Sequence, residues 1–114
     1  MDHFIEIRSY KLKPGSSDKL HRFVSEKSAP LHAAWGIDIV AFGKSLHDPD
    51  AYYLIRAYND FAHLESSQAE FDGSDDWRHG PREAIVSLIL SDSNAVLWLD
   101  PSGVGHLRNS RGAV

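Results

Sequence analysis

Residues His3–Leu12 read HFIEIRSYKL. Apolar and polar side chains alternate along this stretch. Ile5, Ile7 and Ser9 fall on one side, and Phe4, Glu6, Arg8, Tyr10 and Leu12 on the other. Period-two alternation rich in aromatic and β-branched residues predicts a strand. Pro14-Gly15 closes it. A second stretch, Ala51–Tyr58, has the same design. Tyr53, Ile55 and Ala57 share one face, and Tyr52, Leu54, Arg56 and Tyr58 share the other.

Working outward, Ser16-Ser17 offer N-caps for a helix marked by Leu20, Phe23, Val24, Leu31, Ala34 and Trp35. Pro30 lies inside that pattern and predicts a kink or restart near Ser28, because proline lacks the backbone donor a helix interior needs. Gly36 suits the position just past the helix end. Ile37–Leu46 reads as the second strand, joined to Ala51–Tyr58 by a turn at His47–Asp50, HDPD. Asn59-Asp60 caps a helix with Phe61, Leu64, Gln68 and Phe71 on one side. Pro81–Leu90 has helical spacing, and Asn94–Leu99 is a last strand.

The order β-α-β-β-α-α-β is that of a ferredoxin-like α+β domain with a four-stranded antiparallel sheet. Its central strands would be the first and third. They would bring Glu6, Arg8 and Arg56 together among Tyr10, Tyr52 and Tyr58. Helices are expected over one sheet face, and the aromatic and charged face is expected to pack on the same face of a second copy. The pair would form a dimeric α+β barrel with a polar lumen. Residues 1–100 form the single domain in this reading. Residues 101–114, PSGVGHLRNSRGAV, show no periodicity and form a tail, expected to lie on a partner subunit.

FDGSDDWRHGPRE, residues 71–83, is dense in charge. As a calcium loop counted from Asp72 it fails, since the sixth position is Trp77 where a glycine is required. No histidine pair has the four-residue spacing of a helical metal site. No nucleophile elbow or phosphate loop is present. Capping accounts for the stretch: Ser74 caps a short turn, Trp77 anchors it, and Gly80-Pro81 restart a helix. Glu83 then reaches back to the Gly80 N–H, with Arg82 available to pair with nearby acids. No metal or cofactor is expected.

Composition narrows the function classes. The 114 residues fit one domain. A formal net charge of −4 without a basic stripe argues against a nucleic-acid partner. Cysteine is absent, which removes disulfides and thiolate chemistry. No apolar run approaches a membrane span, and MDHFIEIRSY does not read as a signal peptide, so a cytoplasmic protein is expected.

Three blocks also resemble the NIPSNAP family: IEIRSYKLKPG at residues 5–15, YYLIRAYND at 52–60 and FDGSDDWRHGPREAI at 71–85. The family's motif positions map to Glu6, Arg8, Tyr10, Arg56, Trp77, Gly80, Pro81, Arg82 and Glu83. The resemblance implies a homodimeric α+β barrel. The wider superfamily includes small monooxygenases, haem-degrading enzymes and muconolactone isomerases, chemistries that a shared fold does not carry over. The expected function is a homodimer binding a small organic molecule in its lumen, with no reaction assigned. Glu6, Arg8 and Arg56 would hold the polar end and Tyr10, Tyr52 and Tyr58 would line the lumen. The alternatives are a cofactor-free monooxygenase or isomerase, with Glu6 or His79 as acid or base, and a purely structural module.

Overall fold

A computed structural model describes residues 3–110. The first strand, β1 (Phe4–Leu12), is central. It pairs antiparallel with β3 (Ala51–Tyr58) on one side and β4 (Ile89–Trp98) on the other; β2 (Asp38–Lys44) completes the order β2-β3-β1-β4. This is the ferredoxin-like order with α+β layering. In the β1–β3 register Glu6 faces Arg56, Arg8 faces Leu54 and Tyr10 faces Tyr52.

The first helical arm runs through α1 (Ser17–Phe23), a π-helical turn (Val24–Ser28) and α2 (Ala29–Ala34). The turn is the expected consequence of Pro30, in a milder form than a break. Pro30 has no N–H, and its ring would press on the carbonyl four residues back. The chain widens by one residue, and the Ala29 N–H donates to Val24 O. Ser16 occupies the N-cap of α1 but makes no side-chain cap bond. At the other end Gly36 adopts φ +73°, and the Gly36 and Ile37 N–H groups donate to Ala33 O and His32 O. That is a Schellman closure.

The second arm comprises α3 (Phe61–Asp72), α4 (Asp75–Arg78) and α5 (Arg82–Val86). Asp60 caps α3 by accepting from the His63 N–H at 2.8 Å. Ser74 Oγ accepts from the Trp77 N–H at 3.2 Å. The restart at Gly80-Pro81 differs from expectation. Pro81 is the N-cap, its carbonyl accepting from the Ile85 N–H, and the Gly80 N–H donates to Trp77 O instead of to Glu83. Glycine is needed at 80 for another reason: a Cβ there would lie 2.2 Å from Asp76 O. The helix is also shorter than its spacing suggests, because pairing with β1 draws the chain into β4 from Ile89.

Both arms pack on the face of the sheet that carries Phe4, Glu6, Tyr10, Leu12, Tyr52, Arg56 and Tyr58. The core there joins Leu20 and Val24 of the first arm with Leu64, Phe71, Trp77 and Ile85 of the second. The expectation that this face turns toward a second copy is therefore corrected: it lies under the chain's own helices. Two of its polar groups find helix partners there: Glu6 accepts from Gln68 and Arg56 donates to His32.

The opposite face carries Ile5, Ile55 and Ala57, and a helix the sequence reading did not foresee covers part of it. That helix, α6 (Pro101–Ser110), sets Val104 and Leu107 against Ile5, Val40, Ala41 and Leu99. Asp100 caps it, Oδ1 accepting from the Gly103 N–H at 2.7 Å. The Arg108 guanidinium forks onto the Asp38 carboxylate, with Nη1 donating at 2.8 Å. The expected tail is thus helical through Ser110 and packs on its own sheet; residues 111–114 lie outside the described residues.

Candidate binding cleft between sheet and helices

Arg56 rises from the middle of β3 into the space between the sheet and the two arms. Its guanidinium is held on two sides. Nε donates to Glu6 Oε1 at 2.7 Å, and Nη1 donates to His32 Nε2 at 3.2 Å. Nη2 is buried and makes no hydrogen bond. Burial alone would lower the Arg56 pKa, but Tyr58 and Glu6 raise it above its ordinary value, so the group is a fixed cation.

Glu6 is fully buried and cannot contact a ligand. It is saturated from three elements: Arg56 on β3, Gln68 Nε2 on α3 and Asn94 Nδ2 on β4, the latter two at 2.8 Å. Burial pushes its pKa up, but the Arg56 charge and these hydrogen bonds bring it below the usual carboxylate value.

His32 owes its place to the π-helical turn. Nδ1 lies 2.7 Å from Ser28 O, and a carbonyl only accepts, so Nδ1 carries the proton. Nε2 is then free to accept from Arg56. Burial, with the nearby Arg56 charge, depresses the imidazole pKa to about 4 against the favourable Ser28 bond, and the ring stays neutral. It packs on Phe71 in a tilted arrangement, 4.3 Å between centroids.

A cavity of about 70 Å³ opens beside this cluster. Arg8, Tyr10, Tyr52, Leu54 and Arg56 form its sheet wall; Leu20, Val24, Ser28 and His32 line it from the first arm; Phe71, Asp72, Trp77 and Ile85 come from the second, with Ile89 at the start of β4. Arg8 Nε is buried without a hydrogen bond, and the nearest carboxylate, Asp92, stands 3.8 Å away. The Tyr52 hydroxyl meets His21 Nδ1 at 2.7 Å, and burial pushes the Tyr52 pKa well above that of a free phenol. Burial likewise raises Tyr10.

Four of the six residues expected to form a site therefore share this cavity wall: Arg8, Tyr10, Tyr52 and Arg56. Glu6 stands behind Arg56 as its counter-ion. Tyr58 lies in the core beside Phe4, Ile37 and Leu64. Of the charged stretch, Ser74 is buried as a cap and Trp77 reaches the cavity. Arg82 and Glu83 do not reach the sheet; their exposed side chains face each other at 3.8 Å. His79 is also exposed, at the C-cap of α4 with its imidazole 3.7 Å from Asp75, and does not line this cavity. The sequence reading missed His32, Ser28, Asn94 and the role of Gln68. The legible signals were a Ser–His pair four residues apart and a glutamine within an apolar helix face. Among the described residues no group of three or more His, Asp or Glu side chains is placed to hold a metal ion. No helix among them is long and apolar enough to cross a membrane.

No protein-family model and no curated protein matches the sequence. Solved structures do. A NIPSNAP family protein of unknown function from Agrobacterium tumefaciens superposes with a TM-score of 0.78 at 20% identity, over 87% of this chain and 92% of that one. A NIPSNAP domain protein from Burkholderia xenovorans gives 0.76 at 12% identity, over 86% and 95%. More distant is a Caulobacter crescentus protein named as a candidate antibiotic biosynthesis monooxygenase, at 0.64 and 14%, over 87% and 92%. At these identities the likeness establishes the fold alone, which is the one these NIPSNAP proteins have.

Proposed function

We propose that this NIPSNAP-like chain is a cytoplasmic homodimer that binds a small organic molecule in the cleft between its own sheet and helices. The site lies within each chain and not in a lumen between two sheets. One observation carries the reading. Two arginines of the cavity wall, Arg8 and Arg56, each keep a buried N–H without an acceptor. Buried donors are almost always paired, and leaving one unmet costs about 1–3 kcal/mol. A bound acceptor removes that cost. Tyr10, Tyr52 and Trp77 supply walls for an organic body.

The test is a small-molecule panel screened by thermal shift against the wild type and Val24→Phe, which fills the cavity from the first arm. Ligands that raise the melting temperature of the wild type and leave the variant unmoved support the cleft. Ligands that shift both proteins equally place binding elsewhere.

A second reading, a cofactor-free enzyme, has one observation in its favour. Tyr52 lines the cavity and its hydroxyl shares a short hydrogen bond with His21, the arrangement of a proton-transfer pair. Glu6 is buried behind Arg56 and His79 is remote, so neither takes that role. Loss of turnover in Tyr52→Phe, with ligand affinity retained, would support this reading.

A further inference from the structure

We infer that the ligand is a short-chain organic monoanion, bound by its carboxylate, or an isosteric enolate, to Arg8 and Arg56. The inference rests on the cleft reading above and adds size, charge and orientation.

Size follows from the cavity. Its roughly 70 Å³ is several times the about 10–15 Å³ that a single water needs, room for a small molecule. Polycyclic or nucleotide-sized molecules do not fit this shape.

Charge follows from the balance of ionised groups. Arg8 and Arg56 lie diagonally across the β1–β3 register, about 7–8 Å apart at Cα. Each offers one buried donor without an acceptor. A carboxylate with two oxygens accepts from both, and charge-assisted bonds are roughly twice as strong as neutral ones. Glu6 neutralises Arg56, which leaves the Arg8 charge, faced at 3.8 Å by the half-exposed Asp92. One negative charge is therefore matched in the cavity and a second is not. No lysine lines it. Dicarboxylates and phosphate are therefore disfavoured.

Orientation follows from the lining. Leu20, Val24, Leu54, Ile85 and Ile89 are its aliphatic members, and they take the alkyl chain. His32 acts as a positioning residue, fixing Arg56 from the side opposite Glu6.

The experiment is a solution NMR titration of the intact chain, reading the Arg Nε–H and Trp Nε1–H signals. The probes are butyrate, 2-butanone, succinate and inorganic phosphate. Butyrate is expected to shift the Arg8, Arg56 and Trp77 signals saturably, binding at least tenfold more tightly than the other three. Arg8→Gln should weaken butyrate about tenfold with the rest of the amide spectrum intact. The inference is overturned, and the cleft reading kept, if 2-butanone shifts the same signals as tightly as butyrate. Equal affinity for succinate or phosphate, or no loss in Arg8→Gln, also overturns it. If no probe moves these signals, and none of the thermal-shift panel discriminates Val24→Phe, both fall.

Discussion

Arg56 is positioned by two neighbours of different character, a carboxylate and a neutral imidazole, and each makes its own prediction. Glu6→Ala leaves the Arg56 charge buried without a counter-ion. Breaking a buried pair from one side costs about 3–5 kcal/mol, and urea unfolding should show a loss of that size. His32 predicts a pH dependence. Its folded pKa of about 4 lies below the ordinary 6.5, so between these values the unfolded chain binds a proton that the folded one refuses. Stability is then fully present above pH 6.5 and falls as pH drops toward 4. The loss is about 3 kcal/mol over that window. His32→Gln should flatten this part of the stability–pH curve. Glu6, whose pKa is lowered, contributes with the same sign but only below its ordinary value of 4.5. The slope below that pH should survive in the His32 variant.

At the scale of elements, α6 decides how the sheet is used. Val104 is its buried centre, set against Ile5, Val40 and Ala41. Val104→Asp would put an unpaired carboxylate into that contact, and a loss of about 3 kcal/mol or more is expected in chemical unfolding. An unchanged midpoint would mean that the helix contributes nothing to the fold. The same helix explains what the sequence could and could not reveal. Alternation in HFIEIRSYKL and AYYLIRAY showed which residues share a face, and the structure has those groupings. It could not show which face the long helices cover, because both faces are apolar enough to be buried. Ile5 and Ile7 compete with Phe4, Tyr10 and Leu12. The deciding element was α6, whose pattern is diluted by Gly103 and Gly105. Gly103 is there for packing: a Cβ would meet the Leu99 side chain at 2.7 Å. The readable sign was Asp100-Pro101, an N-cap followed by a proline in the first turn. The π-helical turn was only half legible. Pro30 announced a disturbance, but not the one-residue widening, nor that His32, bonded to Ser28, would meet Arg56.

At the scale of the whole molecule, β4 is the exposed edge of the sheet. Leu90, Val96, Leu97 and Trp98 are open to solvent along it, and α6 leaves Ser9, Ala95 and Leu97 of the adjoining sheet surface exposed. An edge of this kind is ordinarily covered. In the proposed homodimer a second copy covers it, so sedimentation equilibrium at micromolar concentration should return twice the 12.7 kDa chain mass. A single-chain mass would refute the dimer and leave the cleft untouched, since every cavity-lining residue belongs to one chain.

The central claim is that the space between sheet and helices is a binding site organised by Arg8 and Arg56. Its most direct test is a crystallographic soak with a library of small carboxylates and carbonyl compounds. The account predicts ligand density in the cleft, with an acceptor atom within about 3 Å of Arg56 Nη2 and the alkyl end toward Val24 and Ile85. A cleft that holds only water across the library, with any bound compounds lying elsewhere, would contradict it.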